Sequence, residues 1–141
     1  MVTKILCAVD GSHASEGAVA FAIDLSKQLG VPLCFLAVEP VTEGRASKGR
    51  FWDSRILSAA DDQDRQELAQ ARGKAEKGGA KEVSCVVVHA RDVDGAIVDY
   101  ASENGFDHIV AGHTGRSATS RIGSVAYGVT EKAHCPVTIV H

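Results

Sequence analysis

Short, nearly continuous apolar runs alternate along this chain with longer stretches in which apolar residues return every third or fourth position. The runs are KILCAV (4–9), PLCFLAV (32–38), EVSCVVVH (82–89), HIVAG (108–112) and PVTIV (136–140). Four of them lack the strict in-out alternation of a half-solvated strand. Continuous apolarity at that length marks strands covered on both faces. EVSCVVVH is more mixed at its start, which places it nearer an edge.

The stretches between the runs have helical spacing. Ser12 or Ser15 caps a helix through Gln28, with Val19, Ala22, Ile23, Ser26 and Leu29 on one face, and Gly30 stops it. A second helix spans about Ser54 to Lys77 and ends at Gly78-Gly79. A third spans about Val93 to Glu103, with Ile97, Val98 and Ala101 inward, and ends at Asn104-Gly105. A fourth spans about Ser124 to Ala133, with Val125, Val129 and Ala133 on one stripe.

Strand and helix thus alternate throughout, the mark of βαβ units. The pattern predicts one α/β domain over residues 1–141, an open parallel sheet with helices on both faces. The connections are short except at residues 39–53, EPVTEGRASKGRFWD, which read as an excursion beside the sheet. Its Phe51 and Trp52 either anchor it to the core or form a lid or partner contact.

Composition narrows the function classes. The chain has 141 residues, 45% hydrophobic and 23% charged, enough for a sizeable core without staples. A net charge of -3 argues against bulk binding to nucleic acid or anionic lipid, and 5% aromatics leave little for base stacking. No apolar stretch reaches the roughly 18 residues of a membrane span. No charged-then-apolar leader precedes the first strand, so the expected compartment is the cytoplasm. Cys7, Cys34, Cys85 and Cys135 have no zinc-ligand spacing and read as reduced, mostly buried thiols. Cys135, beside Pro136, is the candidate if one of them has a redox role.

Open parallel sheets bind ligands at the carboxyl ends of their strands, where strand order reverses. Two loops have suitable composition there. AVDGS (8–12) places Asp10 just after the first strand, with Gly11 for a tight turn and Ser12 leading into a helix. AGHTGRSATSRIGSV (111–125) follows the fourth strand. Its Gly112 and Gly115 permit close backbone approach, and Gly123-Ser124 begins a helix whose free N–H groups and dipole favour an anion. Arg116 and Arg121 add charge. On composition alone this loop is either a phosphate cradle or a set of turns before a helix. There is no GxxxxGK[ST] motif after a strand and no GxGxxG after the first strand, which excludes the P-loop and the Rossmann fingerprint. The acidic pair, third-strand Asp and fifth-strand Lys of a receiver domain are missing too.

Three stretches together resemble the universal stress protein family: KILCAVDGS, HARDVDGAIVDYASENGFDHIVAGHTGR and IGSVAYGVTEKAHCPVTIV, nearly the whole chain. The resemblance implies the adenine-nucleotide-binding α/β superfamily, a five-stranded sheet in order 3-2-1-4-5, and a homodimer. ATP-binding members share a pattern G-x2-G-x9-G-[ST]. Here Gly112 and Gly115 are followed by only seven residues, 116–122, before Gly123-Ser124. The shorter interval either favours AMP or ADP over ATP or closes the cradle. Carried over residue by residue, the resemblance puts Val9 and Val38 against the adenine and Asp10 at the ribose or phosphates. Gly112, His113 and Gly115 lie along the ribose and phosphates, and Gly123, Ser124 and Val125 hold the phosphate tail. The implied cofactor is ATP or another adenine nucleotide, with Asp10 available to assist magnesium.

No nucleophile, general base or metal-ligand spacing stands out among the six histidines, and no catalytic residue is assigned. His113 either faces a phosphate or lies exposed in its loop. The expected role is a stress-response sensor or regulator; the alternatives are a nucleotide-free dimeric interaction protein and a weak ATPase. If PVTIV (136–140) is a sheet edge, a two-fold copy of it would cover the exposed backbone and make the homodimer.

Overall fold

Alternate residues of the first apolar run go to opposite faces. In strand β1 (Ile5–Ala8), Ile5 and Cys7 belong to one buried cluster and Leu6 to another. The computed structural model describes residues 1–40, 54–114 and 122–141. Within them the chain continues as α1 (His13–Leu29), β2 (Leu33–Pro40), α2 (Ser54–Lys77), β3 (Val83–Ala90), α3 (Val93–Glu103), β4 (His108–Gly112), α4 (Ser124–Lys132) and β5 (Val137–Val140). The strands pair in parallel in the order β3-β2-β1-β4-β5, the order the family resemblance implied. Residues 41–53, with Phe51 and Trp52, lie outside the described residues, as do Gly115 and residues 116–121.

The period-2 geometry of the strands explains why the apolar runs are continuous. Leu33, Phe35 and Ala37 of β2 join Ile5 and Cys7 against α1 and α2, while Cys34 and Leu36 join Leu6 against α3 and α4. Ile5 to Cys7 of β1, Leu33 to Ala37 of β2 and Ile109 to Ala111 of β4 are all buried. β3 and β5 are the edges, and Val137 to Val140 of β5 are each half-buried.

Helix starts and stops follow local chemistry. Ser12 caps α1 by accepting a hydrogen bond from Ser15 N, and Gly30 closes it at φ 66°, a left-handed conformation open to glycine. Two apolar assignments need correcting. Leu29, expected inward, is exposed, because the sheet-facing stripe of α1 ends at Ser26, whose hydroxyl donates to Val31 O at 2.6 Å. Val125, expected on the buried stripe of α4, is half-exposed, and Ala126 and Val129 are buried instead. Ala126, in the same first turn, is buried, so the buried stripe starts one residue later than Val125.

Gly128, inside α4, marks how α3 and α4 meet. A helical glycine costs about 1 kcal/mol relative to alanine. A Cβ at Gly128 would overlap the Asp94 carboxylate, which Lys132 Nζ holds at 3.0 Å.

At the opposite end of the sheet, Asp107 fastens the start of β1. Its carboxylate accepts from Thr3 N, Thr3 Oγ1 and Lys4 N at 2.7–3.0 Å. Partial burial would raise its pKa, but these hydrogen bonds outweigh that and hold it below the usual carboxylate value. The next residue, His108, is buried, with Nε2 2.8 Å from Thr138 Oγ1 and no hydrogen-bond partner for Nδ1. An imidazolium would bury a second N–H donor without an acceptor. Burial therefore lowers the His108 pKa, against the opposing pull of Asp107.

The folded chain thus resists protonating His108 while the unfolded chain accepts the proton. Stability contributed by neutral His108 is complete above about pH 6.5 and is lost as pH falls through the lowered folded pKa. Urea unfolding at pH 7.5 and 5.5 is expected to show a decline for the native chain that is smaller in His108→Gln. The difference has a limiting slope of about 1.4 kcal/mol per pH unit. Equal declines would contradict this role. Asp107 titrates too low to interfere, since its loss of charge belongs below about pH 3.8.

All four cysteines are free thiols, Cys7 and Cys34 buried and Cys85 and Cys135 half-buried. Burial pushes the Cys135 thiol pKa up, and Asp107 adds to the shift, so the thiolate needed for redox chemistry is disfavoured.

Candidate adenine-nucleotide site

β1 is the point of reversal: chain order runs outward through β2 and β3 on one side and through β4 and β5 on the other. A cavity of about 380 Å³ opens at the carboxyl ends of these central strands, within the usual range for ligand sites. Ala8, Val9 and Asp10 line it from β1, Val38 and Glu39 from β2, and Ala111, Gly112 and Thr114 from β4 and its loop. Gly123, Ser124, Val125 and Ala126 line it from the start of α4.

The β1–α1 turn is tightly internal. Ser12 N donates to Asp10 Oδ1 at 2.9 Å, and Asp10 N donates to Ser15 Oγ at 3.1 Å. Gly11 takes φ 77°, and a Cβ there would also run into the Glu67 carboxylate of α2. Ser12 reaches across to the β4 loop, donating from Oγ to Thr114 O at 3.4 Å. Asp10 is therefore held at the cavity by its own loop, with one carboxylate oxygen oriented by a backbone N–H.

The starts of α1 and α4 at this end of the sheet differ. The start of α1 is closed by Ser12, whose side chain takes the Ser15 N–H. α4 begins at Gly123, which has no side chain to cap it, and there is no acidic residue in its first turn. Its first backbone bond back to the cap is from Tyr127 N to Gly123 O at 2.9 Å, so the N–H groups of residues 124–126 precede the intrahelical ladder. Those three residues all line the cavity. Uncapped N–H groups and the positive end of a helix dipole are the elements of an anion site.

Gly112 has a packing reason as well as a ligand reason. A Cβ at Gly112 would lie 2.8 Å from the carbonyl carbon of Ala14 and 3.0 Å from its oxygen and Cβ. The end of β4 can lie this close to the first turn of α1 only without a side chain.

Of the residues assigned from sequence, Val9, Asp10, Val38, Gly112, Gly123, Ser124 and Val125 come together around this cavity. Gly115 lies outside the described residues. His113 does not line the cavity. Its ring stacks on His141 at a centroid distance of 4.3 Å, while its backbone joins β5 and α4 through Val140 O and Gly123 N. Sequence reasoning missed Ser15, Glu39, Thr114 and Ala126, and also Val93 and Ile97, by which α3 reaches the cavity. Ser15 was visible only as an alternative cap; once Ser12 caps the helix, the Ser15 hydroxyl is available to Asp10. Glu39 was lost because the apolar run stops at Val38, whereas β2 continues to Pro40. Among the described residues no three His, Cys, Asp or Glu side chains gather as a metal site, and the charged side chains at the cavity are Asp10 and Glu39.

The model of the universal stress protein family matches residues 1–141. A universal stress protein of Methanocaldococcus jannaschii is 31% identical over 97% of this chain and 81% of its own length. One from Bacillus subtilis is 29% identical over 99% of each. Among solved structures, UspA of Lactobacillus plantarum shares the fold, with a TM-score of 0.84 at 24% identity over 99% of this chain and 98% of its own. The universal stress protein of Archaeoglobus fulgidus in complex with dAMP superposes with a TM-score of 0.73 at 29% identity, covering 100% of both chains.

Proposed function

The chain belongs to the universal stress protein family, and from that premise we propose that it binds an adenine nucleotide in the cavity at the carboxyl ends of β1, β2 and β4 and acts as a stress-response sensor or regulator. The observation that carries the reading is the start of α4: three N–H groups ahead of the helical ladder, no capping side chain among the described residues, and all three residues on the cavity wall. The dAMP complex of the Archaeoglobus fulgidus relative supports it.

In this reading the adenine lies against Val9 and Val38, Asp10 accepts from the ribose, and the phosphate rests on the N-terminus of α4 with the Ser124 hydroxyl. Among the described residues the cavity offers a cation only the carboxylates of Asp10 and Glu39, so magnesium would arrive with a polyphosphate.

Charge favours few phosphates. Asp10 and Glu39 repel each added negative charge, and the interval from Gly115 to Gly123 is two residues short of the ATP-binding pattern. AMP is accordingly expected to bind more tightly than ATP in the absence of magnesium, with magnesium narrowing the gap. Titration calorimetry with AMP, ADP and ATP, with and without magnesium, measures this. Absence of heat with all three contradicts nucleotide binding, and tighter ATP binding without magnesium contradicts the assignment of the phosphate end.

A further inference from the structure

A second cavity, of about 430 Å³, lies between the end of β3 and the outer side of α3, the helix whose Val93 and Ile97 line the nucleotide cavity. Val88, Ala96 and Tyr100 form its apolar part, and Asp92, Asp99 and Glu103 its acidic part, with Arg91 as the one basic lining residue. It runs beside the β3 edge of the sheet. β3 pairs with β2 over eight residues, and among the described residues no strand lies on its other side. Exposed edges are ordinarily blunted by lysine, proline, a bulge or shortness. VSCVVVHA is long for an edge and contains no proline or lysine; its exposed side chains are Ser84 and His89.

We propose that the β3 edge and the acidic stripe of α3 form a docking surface for an extended basic segment of a partner protein, added to the sheet as a sixth strand. The spacing of the acids supports an extended occupant. Residues 92, 96, 99 and 103 lie one above another at three- and four-residue intervals on α3. From Asp99 to Glu103 the helix advances about 6 Å. Alternate residues of an extended strand are about 6.7 Å apart, so two lysines or arginines at alternate positions match Asp99 and Glu103. The intervening positions place apolar side chains on the other face of the sheet. The backbone of β3 supplies hydrogen bonds irrespective of sequence, and the stripe supplies selectivity.

Charge also decides against a second copy as the occupant. Two β3 edges paired antiparallel about a two-fold axis keep their α3 helices on one face and bring two acidic stripes together. Asp92 is partly neutralised by Lys132 at 3.3 Å, but Asp99 and Glu103 are exposed and have no ion pair with a described residue. Like charges at that separation oppose self-pairing, whereas a basic segment is attracted.

Fluorescence anisotropy with a labelled seven-residue peptide of alternating lysine and valine tests the proposal at low salt, where rim charges are least screened. The native chain is expected to bind it. Asp99→Lys combined with Glu103→Lys is expected to weaken binding about tenfold or more. An alternating glutamate–valine peptide is expected not to bind, and a lysine–valine peptide N-methylated on the hydrogen-bonding edge is expected to bind more weakly. Both substituted side chains are exposed and neither lines the nucleotide cavity, so unchanged AMP binding checks the fold. Equal affinity in the double variant, or equal binding of the glutamate peptide, overturns the role of the stripe. Indifference to N-methylation overturns strand addition. Self-association abolished by Val87→Pro would make the occupant a second copy and overturn the proposal as well.

Discussion

Gly112→Ala is expected to lower the unfolding free energy by about 2 kcal/mol, as forced overpacking in a well-packed region does. Glycine within regular structure is ordinarily a liability, and alanine in its place usually gains about 0.5–1 kcal/mol. Here the sign reverses. The new Cβ would lie 2.8 Å from the Ala14 carbonyl carbon and 3.0 Å from the oxygen. These are backbone atoms in the first turn of α1, held in place by the hydrogen bonds of Ser12 and Ser15. A side chain could rotate away; this backbone cannot. Ala14→Gly in the same chain removes only the Cβ contact and so is expected to recover little of the loss. The midpoint of urea unfolding at constant slope measures the effect. A midpoint equal to or above that of the native chain would contradict the close approach of β4 and α1.

Ser124→Asp is expected to separate binding from stability. An aspartate in the first turn of α4 interacts favourably with the helix dipole, worth roughly 0.3–1 kcal/mol. The fold should therefore be as stable as the native chain or slightly more so. The same carboxylate stands where the phosphate is assigned. Two negative charges about 5 Å apart at an effective dielectric of about 20 repel by roughly 3 kcal/mol, a loss on the order of a hundredfold in AMP affinity. Adenosine, with no phosphate, should lose little. Equal losses for AMP and adenosine in calorimetric titration would show that Ser124 is not at the phosphate end.

The nine elements among the described residues were legible because each rests on a local cause. Continuous runs such as PLCFLAV announce a strand buried on both faces, and both faces are covered by helices. Gly30 ends α1 where a left-handed residue is required. The two inward residues that proved exposed, Leu29 and Val125, sit in terminal turns of their helices. Periodicity reports which side of a helix a residue takes. It does not report whether anything lies opposite.

The candidate site was legible where backbone conformation or a helix start demands a residue type, as at Gly112, Gly123 and Ser124. It was less legible where a polar side chain acts through tertiary contact. Glu39 is an ordinary charged residue until β2 carries it to the cavity. His113 lies in the glycine loop by sequence, yet stacking on His141 gives its ring another neighbour. Gly128 looks like a flaw in α4 until Asp94 is seen to occupy the space its side chain would need. The acidic stripe of α3 carries no motif; it becomes a groove wall only because β3 is the sheet edge.

The central claim is that an adenine nucleotide sits at the carboxyl ends of β1, β2 and β4 with its phosphate on the N-terminus of α4. Backbone amide chemical shifts recorded during titration with AMP test it most directly. The account predicts the largest changes at Val9, Asp10, Val38, Gly123, Ser124 and Val125, with Ser84, Asp99 and Glu103 at the far edge unmoved. Saturating AMP that leaves Gly123, Ser124 and Val125 unshifted, or that shifts the β3 edge instead, would contradict it.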